Sequence, residues 1–383
     1  MPDSVPRQPV RVHLVDPSAF TPPYDRALAA ALARSGPHPP HVTLVTSRFA
    51  YGDVPAAERY AVDERFYRRA GRIGRVGAAS RARRVAKLAE HVPDMVAYGR
   101  AAVRGADVVH FQWLTVQPLD VHLLPRGVPT VLTAHDVLPR EPRAGQLRAQ
   151  RRLYGRVDHV VVHSRHGARR LTDELGLDPQ RISVIPHGAF THLARLDARL
   201  PPELPDTDAP VVALTGLLRP YKGLDVLLDA WRRFGAAPPG ELWIVGMPRM
   251  PLPDPASLPP GVRLVPRFVS DPELAGVLRR ADVVTLPYRE IDQSGVLYAA
   301  LGLGRPLLLS AVGGFPEVAA TGAAELVPPA DPAALHAALG ALLADPARRA
   351  ALAAAAAAAA QTTYSWDAVA RQHLALYGML RRS

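Results

Sequence analysis

Two short stretches carry residues whose types and spacing suit the binding of an anion. In LTGLLRPYKG, Arg219 and Lys222 set a guanidinium and an ammonium three positions apart, between Gly216 and Gly223. Arginine can grip two oxygens of a phosphate at once, and lysine acts as a point charge. In YREIDQSGVLYAALGLG, Ser294 and Gly295 stand where a helix begins, and Gly304 and Pro306 stop it. The first N–H groups of a helix lack partners and carry the positive end of its dipole. Small residues there let a phosphate reach the backbone, although Ser294 also suits a plain N-cap. Neither stretch is a Walker A loop or a GxGxxG turn. Taken together, they could hold a nucleotide diphosphate from two sides.

Each stretch needs a strand before it and a helix after it, and the chain supplies both repeatedly. Short Val/Leu/Ile runs predict strands at Val10–Val15, His41–Thr46, Asp107–Trp113, Pro129–His135, His159–His163 and Ile182–Pro186. Six more follow at Val211–Leu214, Leu242–Val245, Val262–Val265, Val283–Leu286, Leu307–Leu309 and Glu325–Val327. Unbroken apolar runs of this length suit strands buried on both faces of a parallel sheet. Helical stretches lie between them, among them Tyr24–Arg34, Val92–Arg104, Leu224–Phe234 and Pro332–Leu343. The expected fold class is therefore α/β, with two doubly wound Rossmann-like domains facing an interdomain cleft. The expected domains are 1–200 and 211–360. The proline-rich stretch 201–210 is the expected linker. A final helix within 361–383 is expected to cross back to the N-terminal domain, with Trp366, Val369, Leu374 and Tyr377 as its apolar side.

Composition sets the remaining bounds. At 383 residues the chain suits two domains, and its apolar content of 48% suits a globular protein. The absence of cysteine excludes disulfides, thiolate metal sites and a cysteine nucleophile. MPDSVPRQPV lacks the apolar core of a signal peptide, so a cytoplasmic location is expected. The net charge of +11 permits acidic partners, but no nucleic-acid module is recognisable and no nucleic-acid partner is expected. The segment Glu64–Glu90 concentrates arginines between Gly71, Gly74 and Gly77. It reads either as a solvated loop and helix or as a surface for membrane phosphate or an anionic acceptor, peripheral at the inner membrane face.

The succession LTGLLRPYKG, ADVVTLPY and SGVLYAALGLGRPLLLSAVGGFPE resembles the donor-binding half of family-4 retaining glycosyltransferases with the GT-B fold. DVVHFQWL, VPTVLTAHDVLP, VVVHS and RISVIPHG resemble successive strand ends of that family's N-terminal half. The resemblance implies a retaining hexosyltransferase that needs no metal or other cofactor. Its substrate would be a nucleotide-diphosphate sugar, UDP-hexose ahead of GDP-mannose. Arg219 and Lys222 would grip the diphosphate, with Gly216 behind them, and the backbone at Ser294, Gly295 and Val296 would bind phosphate. His135 would face the donor sugar, and Arg267, Gln293 and Glu317 are further donor contacts. Phe20, Tyr24 and Trp113 are candidates for an acceptor pocket, with core packing as the alternative for each. The acceptor could be a lipid-linked glycan, a metabolite or a natural product.

Two departures bear on this reading. The family carries two glutamates eight positions apart; counting back from Pro306, their places hold Ile291 and Ala299. Glu290 and Asp292 flank the first place, and Tyr298 precedes the second. DPSAFTPPYD also lacks the usual Gly-Gly loop after the first strand. These losses keep open a non-catalytic protein that binds a nucleotide sugar. Asp206-Thr207-Asp208 spells a metal-binding pattern of another fold but lies in the expected linker, so no metal role is assigned to it. His159, His163 and His166 read as a strand and its exit loop.

Overall fold

The computed structural model describes residues 9–49, 54, 56–72, 78–114, 116–139 and 144–382. The chain forms two compact units. One comprises the chain up to Pro186 together with the segment from Trp366 onward; the other is His187–Ser365.

The first unit is built on a parallel sheet of β1 (Arg11–Asp16), β2 (His41–Ser47), β3 (Ala61–Phe66), β4 (Val108–Phe111), β5 (Thr130–Thr133), β6 (His159–Val162) and β7 (Ile182–Val184). Their order is β3-β2-β1-β4-β5-β6-β7. Helices α1 (Pro22–Leu32), α2 (Ala78–Gly105), α3 (Gln117–Leu123), α4 (Gln146–Arg156) and α5 (Arg165–Asp173) join the strands. The central β4, β5 and β6 are buried along their whole length, as strands covered on both faces must be. Strand β3 was not expected: AVDERF has no apolar run, because it is an edge strand pairing only with β2. It claims the start of the Arg-rich segment, and α2 claims the end. Gly74, Arg75 and Gly77 of that segment lie outside the described residues.

The second unit holds β8 (Val211–Thr215), β9 (Glu241–Val245), β10 (Val262–Val265), β11 (Val283–Leu286), β12 (Leu307–Ser310) and β13 (Ala324–Val327). These are also parallel, in the order β10-β9-β8-β11-β12-β13. Its helices are α6 (Leu224–Arg232), α7 (Asp271–Arg280), α8 (Gly295–Gly302), α9 (Phe315–Ala319), α10 (Pro332–Ala344) and α11 (Pro346–Gln361). Helix α8 is apolar almost all round and buries Leu297 through Leu301, as a helix enclosed by its neighbours must.

The expected boundary is corrected. Residues 187–200, assigned to the N-terminal domain, and the expected linker 201–210 both belong to the second unit. Phe190 N–H donates to Tyr298 O at 3.0 Å, and Gly302 of α8 approaches Phe190 so closely that a Cβ would stand 2.6 Å from its carbonyl carbon. Arg279 donates to Ala194 O at 2.7 Å, and Arg280 donates to Thr207 O at 2.6 Å. These backbone groups satisfy their bonds on α7 and α8, which proline content alone does not reveal. Asp206-Thr207-Asp208 is thus anchored through its own backbone.

The last helix, α12 (Trp366–Leu380), belongs to the first unit and packs along α1. Its buried face is Trp366, Val369, Ala370, His373, Leu376 and Tyr377; the expected Leu374 is only half-buried. The Trp366 ring meets Tyr24 edge-on at 5.2 Å, and Tyr377 Oη lies 2.6 Å from His110 Nδ1. Burial pushes the His110 imidazole well below the ordinary 6.5, and pushes those of His163 and His373 down to about 4. All three are neutral in the folded unit, whereas the unfolded chain takes up protons below about 6.5. The resulting penalty is absent above that pH and grows as pH falls toward 4. The melting midpoint of this unit should therefore drop between pH 6.5 and pH 4, and His373→Leu should flatten the dependence. Calorimetry across that window checks both.

Candidate functional site

In an open parallel sheet, ligands bind beyond the strand C-termini where the order reverses. In the second unit that point lies between β8 and β11, because β9 flanks β8 on the other side. The loops leaving these two strands are the two stretches singled out above.

Strand β8 ends at Thr215, and Gly216 turns the chain with φ +99. Arg219 is exposed, and Pro220–Lys222 makes a single tight turn. Gly223 then enters the left-handed region, at φ 67 and ψ 34, to begin α6. Two close contacts clamp this loop to the one after β11. A Cβ on Gly223 would stand 2.0 Å from Pro287 O, and Arg289 N–H donates to Tyr221 O at 2.7 Å. Lys222 is consequently buried, its ammonium 5.1 Å from the centroid of the Tyr288 ring.

The start of α8 arrives at the same place. A Cβ on Gly216 would lie 3.0 Å from both Lys222 Nζ and Val296 Cγ2. Gly216, Lys222 and Val296 therefore converge around one small space. Ser294 stands at the N-cap with extended backbone, but its side chain does not cap the helix. Its Oγ lies 3.4 Å from Tyr288 Oη. The plain N-cap reading of Ser294 is thus not the one adopted. A lysine ammonium, a helix N-terminus and glycines that permit close approach suit an oxyanion of the diphosphate type. Tyr288, which orders both Lys222 and Ser294, was not singled out in the sequence; its place directly after Pro287 at the strand exit was the available signal.

The other donor-side candidates are placed less uniformly. Helix α9 carries Glu317 in its first turn and packs Phe315 against Tyr288, with ring centroids 5.5 Å apart. The preceding Gly313 has φ +56, and a Cβ there would fall 1.7 Å from Ile291 O, so the Gly-Gly turn backs directly onto the β11 loop. The Tyr364 hydroxyl is pushed up to about 12, first by burial and then by the charge of Glu317. Gln293 is half-buried beside Ser294. Arg267 follows the edge strand β10, two strands from β8, and is held by Glu203 at 2.7 Å and Glu273 at 2.8 Å. Those bonds hold the Glu273 carboxyl down to about 2. Arg267 is thus a clamp between carboxylates, and the structure does not bring it to Lys222. Ile291 and Ala299, in the places of the expected glutamates, are both buried. Tyr298 beside them stacks on His187 at 4.1 Å.

In the first unit, the order reverses between β1 and β4. Here the acceptor candidates and His135 gather. His135 is buried, stacks on Trp113 at 5.0 Å and meets Tyr24 edge-on at 4.7 Å. Its Nδ1 is 3.2 Å from His163 Nε2, whose own Nδ1 is 3.0 Å from Ile185 O. Phe20, 58% exposed, covers the Trp113 ring at 5.4 Å. The β1–α1 loop that carries Phe20 is held by Asp16, whose carboxylate accepts from Ser18 N at 3.1 Å and Phe20 N at 2.5 Å. Trp113 Nε1 donates to Thr21 Oγ1 at 2.9 Å. A buried aspartate here does the work expected of a glycine turn. Tyr24 is wholly buried and contributes an edge to the cluster rather than a surface.

Comparison with known proteins identifies the family. Residues 26–192 match the family described as Glycosyltransferase Family 4, and residues 209–345 match the one described as Glycosyl transferases group 1. D-inositol 3-phosphate glycosyltransferase of Kineococcus radiotolerans is 30% identical over 331 residues, covering 73% of each chain. GDP-mannose:glycolipid 4-beta-D-mannosyltransferase of Xanthomonas campestris pv. campestris is 28% identical over 253 residues, 58% of this chain and 68% of that one. HepE of Anabaena, solved in complex with UDP and glucose, shares the fold at a TM-score of 0.70 and 16% identity, over 97% of this chain and 100% of its own. The fold is that of GT-B glycosyltransferases. The chain belongs to glycosyltransferase family 4 and is a transferase of that class.

Alanine at Gly216 or Gly223 should lower the melting midpoint of the second unit more than alanine at Gly235. All three glycines have positive φ, which costs a side chain about 1–2 kcal/mol, but only Gly235 has nothing within 4 Å of the added Cβ. Equal losses in the three variants would show that the two loops are not clamped.

Proposed function

We propose that the protein moves a hexose from a nucleoside-diphosphate sugar, with UDP-hexose ahead of GDP-mannose, to an acceptor hydroxyl with retention of configuration. The observation that carries this reading is the convergence of Gly216, Lys222 and Val296 at the β8/β11 switch point. As the bond from the anomeric carbon to the diphosphate oxygen breaks, negative charge grows on the diphosphate. Lys222, Arg219 and the N–H groups of Gly295 and Val296 are the groups that stabilise it, in a setting fixed before the reaction. The sugar then bonds to the acceptor oxygen, whose proton passes to the diphosphate oxygen that has just left the anomeric carbon, and no protein nucleophile or metal takes part. We assign His135 a catalytic role in the transfer, as the family resemblance implies. UDP ranks first because HepE was solved with UDP, and GDP stays in the comparison through the Xanthomonas relative. That relative's name carries a β linkage, so the anomeric outcome is read from the product by NMR.

Thermal stabilisation by a panel of nucleoside diphosphates and their sugars tests the donor site. A ligand at a hundred times its Kd adds about 2.7 kcal/mol to the folded state. Either UDP or GDP compounds should raise the midpoint, and Lys222→Ala or Arg219→Ala should abolish the rise. For an active donor, each variant should lose roughly 10²-fold or more in kcat/KM. His135→Ala should lose transfer while keeping the thermal shift. The buried Ile291 and Ala299 favour a second reading, a nucleotide-sugar-binding protein without transfer. A thermal shift without turnover across acceptors would select it.

On the acceptor side we assign the exposed Phe20, backed by Trp113, as an aromatic platform for an acceptor ring. Phe20→Ala should raise acceptor KM several-fold and leave donor binding unchanged. An unaltered KM for every accepted substrate would remove Phe20 from the site.

A further inference from the structure

Helix α2 shows solvent an apolar stripe that core packing does not explain. The buried face of this 28-residue helix is His91, Met95, Tyr98 and Ala102. Beside it, Val85, Leu88, Val92, Val96 and Val103 are exposed, Val85 at 69% and Leu88 at 53%. At 100° per residue these five fall within about 80° of arc, along roughly 27 Å of helix. The spacing is that of a helix face built to be covered.

The charges around the stripe are of one sign. Arg81 and Arg84 are exposed at its N-terminal end, Arg100 and Arg104 at its C-terminal end. Both acids of α2 turn the other way. Glu90 accepts from the backbone N–H groups of Arg69 at 3.2 Å and Ala70 at 2.9 Å, and Asp94 accepts from Tyr67 N at 2.8 Å. A second copy of the helix would set arginine against arginine whether it ran parallel or antiparallel. An anionic lipid surface offers hydrocarbon for the valines and phosphate for the arginines at once. No helix among the described residues is long and apolar enough to cross a membrane.

We propose that the stripe Val85–Val103 of α2 seats in the headgroup layer of an anionic bilayer, with the four arginines on lipid phosphates. The contact surface is the solvent face of α2, rather than the whole Arg-rich segment 64–90. It is independent of the donor chemistry.

The test is flotation of the full-length protein with vesicles of phosphatidylcholine alone and of equal parts phosphatidylcholine and phosphatidylglycerol. The anionic vesicles should retain the protein at low salt, and added salt should weaken retention without erasing it. The double variant Leu88→Glu/Val92→Glu should reduce partitioning by more than about tenfold, since each side chain loses its apolar burial. Arg81→Ala and Arg84→Ala should each reduce it by about fivefold. All four positions are exposed, so unchanged circular dichroism and melting midpoint certify the fold. Failure of wild-type protein to float, equal retention on both vesicles, or unaltered retention of the variants overturns the proposal. A concentration-dependent dimer that Leu88→Glu/Val92→Glu dissolves, without vesicle binding, would instead assign the stripe to a second copy.

Discussion

Gly223 lies so close to the carbonyl of Pro287 that no side chain fits between them. This contact ties the loop after β8 to the loop after β11, and the candidate donor site depends on it. Without it Lys222 would be a surface lysine on a solvated turn. With it the ammonium is buried against Tyr288 and aimed toward the start of α8. The position of this ammonium is therefore set by backbone geometry, through the glycine that lets the two loops touch.

The same economy runs through the second unit. Glycines stand where two backbones meet: Gly246 against Gly216, Gly313 against Ile291, and Gly302 against Phe190. Each permits an approach that any Cβ would block. Together they hold the β8 loop, the β11 loop and the turn before α9 around Tyr288. The first unit arranges its strand ends differently. There a buried aspartate, Asp16, organises the first loop, and aromatic rings stack over His135. A ring cluster offers an apolar face to a substrate, whereas a glycine cluster offers backbone N–H groups.

Much of the architecture was legible because parallel strands buried on both faces leave unbroken apolar runs. Twelve of the strands announced themselves this way. Strand β3 did not, since an edge strand with one neighbour keeps polar residues such as Asp63 and Glu64. The domain boundary was misread for a related reason. Pro201–Pro210 has the composition of a linker, but its carbonyls are satisfied by Arg280, and the residues before it pack on α7 and α8.

The sequence by itself determined the alternation of strand and helix, the Arg219–Lys222 pair, the Ser294–Gly295 helix start and the presence of Ile291 and Ala299 where the resemblance expects glutamates. These are local matters of side-chain type and spacing, and they survive without knowing what lies opposite. Only the tertiary structure decided which of the candidates meet. It brought Lys222 to Val296 and Tyr288, gathered Phe20, Trp113 and His135 into one cluster, and committed Arg267 to Glu203 and Glu273. It also placed the end of the arginine-rich stretch in helix α2, which carries an exposed stripe of valines and a leucine. The physical reason is that contact between distant loops depends on strand order and on where glycine allows backbones to touch, and neither is written in any single stretch of chain.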